Sequence, residues 1–206
     1  MRLFPRRYER PLFDLFADLA HLLEGGSEIL SRTLGESPRE RPRIAGGLQE
    51  RGSDALTLSR RITNRLAAAL ITPFEAEVLH AIATEMTATV REMERTADLV
   101  VRFEMGSLPD ELLETAELIA RASEITVEAS WYLGDEKHLH EYSDAVHRLA
   151  NHGERLVRGA LADLYRSSRT VGEMMQHREI AMGLRQVLAH VEGIARGTDL
   201  LRIKDA

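Results

Sequence analysis

Glu50 and Asp54 stand four residues apart in "LQERGSDALTL" (48–58), a spacing that sets both carboxylates on one helix face, one turn apart. Glu94 and Asp98 repeat that spacing in "REMERTADLV" (91–100). Carboxylates brought together from two adjacent helices repel one another unless a cation or an arginine intervenes. If these four converge they form a one-sided divalent metal site. Its guests would be magnesium, calcium, iron or zinc, because the set offers oxygen and nothing softer. The competing expectation is a solvated helix edge. Arg91, Arg95 and Arg102 lie within a turn or so of Glu94 and Asp98 and would hold them in surface ion pairs worth about 0.5 kcal/mol or less.

The histidines suggest a second chemistry. Glu77 and His80 in "EVLH" have the Glu-x-x-His spacing of carboxylate-bridged di-iron bundles, but that site needs the motif twice and a single copy is present. His138, His140 and Glu141 in "HLHE" would make at most a weak surface zinc site, and solvated histidines are the simpler reading. There is no glycine-rich phosphate loop and no Gly-x-Ser-x-Gly elbow. No catalytic residue and no enzyme activity is expected.

What must position these residues is a set of helices. Apolar residues recur at three, four or seven from Leu48 through Ala55, Leu58, Ile62 and Leu66 to Ala69, and from Leu79 through Ile82, Met86, Val90, Met93 and Ala97 to Val100. No stretch sustains the two-residue period of a strand. "TPFE" (72–75) predicts a Thr72 cap with Pro73 at the first helical position, Phe74 tucked inward and Glu75 returning the bond, while "GSLPDE" predicts a helix starting at Ser107. Further breaks at 34–43, 133–137 and 166–173 leave about six long helices with short connections. With aromatics at 5% and hydrophobic residues at 44%, the core is built from aliphatic side chains, and an antiparallel all-α bundle follows.

Charge and composition narrow the functions. Lys and Arg number 27 against 33 Asp and Glu, a formal charge of −6 that argues against nucleic acid as a partner. With no cysteine, disulfides and thiolate sites are excluded. No segment approaches the roughly 18 apolar residues of a membrane span, so a cytoplasmic protein is expected. "MRLFPRRYERPLF" nevertheless opens the chain with Arg2, Arg6, Arg7 and Arg10 among Leu3, Phe4, Tyr8 and Phe13, a basic and partly apolar segment suited to a weak contact with anionic lipid or with a transporter's loops.

The order of helices and breaks repeats. "GGLQERGSDAL" (46–56) aligns with "VHRLANHGERL" (146–156), and each opens a long helix followed, after a break, by another. Residues 1–206 thus form one unit of two pseudo-repeat halves, 1–105 and 106–206, each a three-helix bundle.

In its opening "LFDLFADLAHLLEGGSEIL", its "LQERGSD", its "LITPFEAEVL" turn and its closing "LLRIKDA", the chain resembles the PhoU-like phosphate transport regulators. Within them it looks most like the smaller accessory proteins of low-affinity inorganic phosphate (Pit) transporters. The resemblance implies a six-helix PhoU-like architecture of two tandem antiparallel three-helix bundles and a non-enzymatic role in phosphate transport. It also implies a Pit-type transporter as partner at the inner face of the membrane, a homo-oligomer, and acidic helix motifs that can hold metal. Glu50 and Asp54 match the first acidic motif. The next helix has Thr87, Ala88 and Arg91 where the family carries acids, with Glu94 and Asp98 one turn on. In the second half Ala150 and Glu154 face Arg185 and Ala189, so that site is dismantled and Glu154 against Arg185 needs no ion. Two alternatives stand beside this reading: a dimerising structural bundle that has lost its metal, and a metal-dependent bundle enzyme.

Overall fold

In a computed structural model that describes residues 10–69, 75–132, 135–167 and 169–205, six α-helices follow one another: α1 (Arg10–Gly35), α2 (Arg41–Ala68), α3 (Ala76–Arg102), α4 (Asp110–Ser130), α5 (Glu136–Arg166) and α6 (Val171–Asp205). The architecture is all-α, as the periodicity requires, and no strand occurs among the described residues. Helices α1, α2 and α3 pack on one another, α5 packs between α4 and α6, and the two sets join where α3 meets α6 and α1 meets α4. Leucine, valine, isoleucine, methionine and alanine from all six helices form one continuous core, so neither half keeps an apolar face of its own.

Two helix starts differ from the sequence expectation. α3 begins at Ala76, and Glu75 precedes it in an extended conformation (φ −60°, ψ 119°) instead of standing inside the first turn. The Thr72 cap and the Phe74 contact lie outside the described residues, as do Arg2, Arg6 and Arg7. α4 begins at Asp110 and not at Ser107, because Pro109 disfavours helical geometry at the residue before it, and Leu108 is buried there as part of the link. α6 has a capping box in the link that precedes it: Glu173 accepts from the Thr170 backbone N–H at 2.8 Å while the Thr170 hydroxyl oxygen accepts from the Glu173 N–H at 3.3 Å. The bond from the Thr170 N–H foremost, with a second from the Thr170 hydroxyl to the same carboxylate at 2.8 Å, holds the Glu173 carboxyl below its ordinary pKa.

Burial fixes the register of the repeat and corrects the alignment read from the sequence. Along α2 and α5 the buried positions match when Arg41 is set on Leu139, Ile44 on Tyr142, Leu48 on Val146 and Leu66 on Leu164. Along α3 and α6 they match with Leu79 on Ile180, Val90 on Val191 and Val100 on Leu201. The sequence alignment placed Leu48 on Arg148, two residues away, which is about 200° round a helix with 3.6 residues per turn. It set a core leucine on an exposed arginine.

The same register shows how the halves are joined. A side chain at Gly197 would meet Ile82 Cγ1 at 2.5 Å, and one at Gly183 would run into the Thr96 hydroxyl. Moving α3 onto α6 carries Ile82 to Gly183 and Thr96 to Gly197, so the two contacts exchange and α3 crosses α6 about a pseudo-twofold axis. Small residues at the crossing allow the two helix backbones to approach closely. Thr96 is fully buried and its hydroxyl has no hydrogen-bond partner among the described residues, whereas Thr87, Thr89 and Thr126 each donate to the carbonyl four residues back.

The other joint is Arg41, at the first position of α2 and 2% exposed. Its Nε donates to the Thr33 carbonyl at 2.9 Å and its Nη2 to those of Leu34 and Gly106 at 3.1 Å each; Nη1 donates to the Met105 carbonyl. One guanidinium therefore satisfies carbonyls near the end of α1 and carbonyls of the link that leads into α4. Burial pushes the group below its ordinary pKa, with Glu36 opposing. We expect Arg41→Met to lower stability in urea by about 3 kcal/mol, because buried carbonyls lose charged donors, and Thr96→Val to be neutral or stabilising by up to about 1 kcal/mol. Equal losses for the two variants would contradict this ordering.

Candidate functional site

The groove between α2 and α3 holds two of the four carboxylates that the sequence brought forward as ligands. Pro42, Ala45, Gly46 and Gln49 form one wall, at the three- and four-residue spacing of a single helix face, and Arg91, Glu94, Arg95, Asp98, Val101 and Arg102 form the other. Small residues on α2 leave the space, about 520 Å³. Three arginines against two carboxylates give these walls a positive balance on an acidic protein.

Of the four expected ligands, two reach the groove and two do not. Glu94 and Asp98 line it, while Glu50 and Asp54 are exposed on α2 beyond its wall. The Glu94 carboxylate lies over buried Gly52, where a side chain on α2 would collide with it. Asp98 is taken by Arg102, whose Nε donates to its Oδ2 at 2.5 Å, and that bond raises the guanidinium's pKa. Arg95 stands 3.6 Å from Glu92. Among the described residues no three His, Asp or Glu side chains gather around a point that would hold a metal ion. Of the three arginines that the sequence offered as ion-pair partners, Arg102 holds Asp98.

The histidine motifs also stay apart. His80 meets the Thr63 hydroxyl at 3.3 Å. His138 pairs with Asp135 at 2.9 Å and His140 with Asp144 at 3.7 Å, while Glu141 faces Lys137 at 3.7 Å.

In the second half, Glu154 and Arg185 form a two-pronged pair between α5 and α6, with Nε to Oε2 at 3.0 Å and Nη2 to Oε1 at 2.9 Å. That pair satisfies the carboxylate with no ion. Ala150, however, is buried at 7% and faces the core, so it is no ligand position. By the register of burial the counterpart of the α2–α3 groove is instead the face with Ser143 and His147 on α5 and Glu192, Arg196 and Asp199 on α6. There His147 lies between two acids, with Nδ1 3.2 Å from Glu192 Oε1 and Nε2 3.6 Å from Asp199 Oδ2. The Ser143 hydroxyl donates to Asp199 at 2.8 Å, and Arg196 pairs with Glu192 at 3.1 Å. This cluster was missed in the sequence. Its signal was the spacing of Glu192 and Asp199, seven residues or two turns apart on one face, which the two-residue slip in register concealed.

No family model and no curated protein matches the chain. Two solved structures are similar to it along nearly their whole length. One is a PhoU-like protein from Shewanella oneidensis MR-1, 15% identical, with a TM-score of 0.70, covering 96% of this chain and 98% of the other. The second, from the same organism, is described as a PhoU-like phosphate regulatory protein; it is 14% identical, has a TM-score of 0.69, and covers 95% of this chain and 97% of the other. The fold of this chain is therefore PhoU-like.

A divalent ion at a hundredfold excess over its dissociation constant would stabilise a protein that binds it by about 2.7 kcal/mol. With Asp98 engaged and Glu50 and Asp54 outside the groove, we expect magnesium, calcium, iron(II) or zinc to leave the unfolding midpoint of chelator-washed protein unchanged. A rise that disappears in Glu50→Gln with Asp54→Asn would establish the four-carboxylate site after all.

Proposed function

We propose that this protein is a non-enzymatic regulator of inorganic phosphate transport that acts by binding a membrane phosphate transporter of the Pit type. The observation that carries the reading is the PhoU-like fold over nearly the entire chain, together with the sequence resemblance in "LQERGSD" and "LITPFEAEVL". Fold alone does not specify function, so the site must supply the rest.

A small pocket lined from both halves, by Phe16 and Tyr142 among others, has room for one water at about 20 Å³, and the α2–α3 groove presents arginines and carboxylates. What such a surface does well is recognise another charged surface. Arg91, Arg95 and Arg102 suit an acidic cytoplasmic segment of the transporter, docked along α3 where small residues of α2 leave room. Charge complementarity of this kind gives register and rate of encounter more than raw affinity. In this account the regulator needs no ion, because Arg102 and Arg185 hold Asp98 and Glu154 in place of a cation.

Co-purification from membranes tests the proposal. The protein should be retained on membranes that contain the transporter and not on membranes that lack it, and Arg91→Glu with Arg95→Glu should reduce retention about tenfold, equivalent to 1.4 kcal/mol. Equal recovery from both membranes would refute it.

A further inference from the structure

Glu50, Asp54, Arg61 and Arg65 are charges of α2 without a partner. All four are exposed, and none is in an ion pair or a side-chain hydrogen bond among the described residues. Three other arginines of this helix are engaged: Arg41 on backbone carbonyls, Arg43 on Glu40, and half-buried Arg51 on the Gly47 carbonyl. The four free charges share one strip with Gly47, Thr57 and Ala68, because these positions follow one another at three- and four-residue spacings. Arg60 lies about 100° round the helix from Arg61, off the strip. Charge is divided along it, with the acids in the first part and the arginines in the second, and no acid occurs from 55 to 74. Among the described residues α2 packs only on α1 and α3, and no helix of its own chain covers this strip.

The strip is complementary to itself when reversed. Glu50 and Arg65 stand at equal distances from the point between Thr57 and Leu58, as do Asp54 and Arg61, and as do Gly47 and Ala68. Two copies of α2 laid antiparallel about a twofold axis at that point therefore set each acid on an arginine, and the contact closes on itself. At both ends a glycine meets an alanine, which lets the helices approach closely. A parallel arrangement in register would instead face acid with acid and arginine with arginine, at a cost in free energy.

We infer that this strip of α2 joins two copies of the chain in an isologous dimer, in which the acids Glu50 and Asp54 of each copy meet the arginines at 65 and 61 of the other. Guanidinium groups then take the place that a divalent ion would have on Glu50 and Asp54. The groove-lining residues of α2, Pro42, Ala45, Gly46 and Gln49, lie roughly 110° round the helix from the strip, so the groove of each copy stays open. The contact needs no transporter and does not involve Arg91 or Arg95, and it stands apart from the function proposed above.

Sedimentation equilibrium of the full chain, washed with a chelator, tests this. Association should rise with protein concentration and weaken as salt rises, because exposed pairs are screened. Glu50→Arg with Asp54→Arg should weaken it about tenfold or more, and so should Arg61→Glu with Arg65→Glu. An equal mixture of the two double variants should recover the dimer, since every contact across the axis is again between opposite charges. A cross-link adds position. The chain has no cysteine, so Thr57→Cys, beside the axis, should be joined to its partner by a short bismaleimide, whereas Thr63→Cys, which lies beside His80 of α3, should not. A monomer at every accessible concentration overturns the inference, as does a dimer indifferent to both charge reversals or one that forms only when a divalent ion is added. So does a mixture that stays monomeric although circular dichroism shows both variants folded. Failure here with transporter-dependent retention intact would remove the contact between copies and leave the regulator.

Discussion

A buried guanidinium whose hydrogen bonds go to backbone carbonyls determines how the two halves of this protein meet. Arg41 donates to backbone carbonyls of Thr33, Leu34, Met105 and Gly106, so one side chain ties the end of the first helix to the link that enters the second half. Taking such a charge out of water costs several kcal/mol, which only a full set of acceptors offsets. Those acceptors exist only when α1 ends and α4 begins next to the start of α2. The direction in which α4 leaves, and with it the pairing of α1 on α4, follows from that requirement. At the far side of the interface Gly183 and Gly197 make the matching demand of α3 and α6, which close on each other because no side chain separates them.

Within this frame the charged faces of the two halves have diverged. Equivalent positions carry Arg91 and Glu192, Gln49 and His147, Ala45 and Ser143, while Arg95 and Arg196 or Asp98 and Asp199 are alike. The first groove is rich in arginine, and the second face holds two acids around a histidine. In the first groove Arg102 meets Asp98, and on the second face Arg196 and His147 meet Glu192 while Ser143 and His147 meet Asp199. The two faces thus offer differently charged surfaces for recognition. The pairs on the exposed side are individually weak, which leaves them open to exchange for a partner's charges.

How much of this could be read from the sequence depends on the distance over which each feature is determined. Helix periodicity is local, so the six helices and their order were legible in stripes such as Leu79 to Val100. The resemblance carried by "LQERGSD" and "LITPFEAEVL" led to the fold. The start of α4 was misplaced by three residues because the serine signal at Ser107 was weighed above the effect of Pro109 on its neighbour. The register of the halves was missed because Leu48 and Val146 show their equivalence only through burial. Glu50 and Asp54 share a helix face, as their spacing requires, yet spacing within a helix does not say which face a neighbouring helix covers. Arg41 sat in a stretch of arginines, prolines and glutamates that reads as a loop, and four carbonyl acceptors leave no mark in a sequence.

The role proposed for this scaffold is regulation of phosphate entry. Uptake of labelled phosphate, compared between cells that carry the protein and cells that lack it at equal levels of the transporter, measures that directly. The account predicts a different initial rate, restored when the chain is supplied again and not restored by a chain bearing Arg91→Glu with Arg95→Glu. Identical rates at every external phosphate concentration would contradict it.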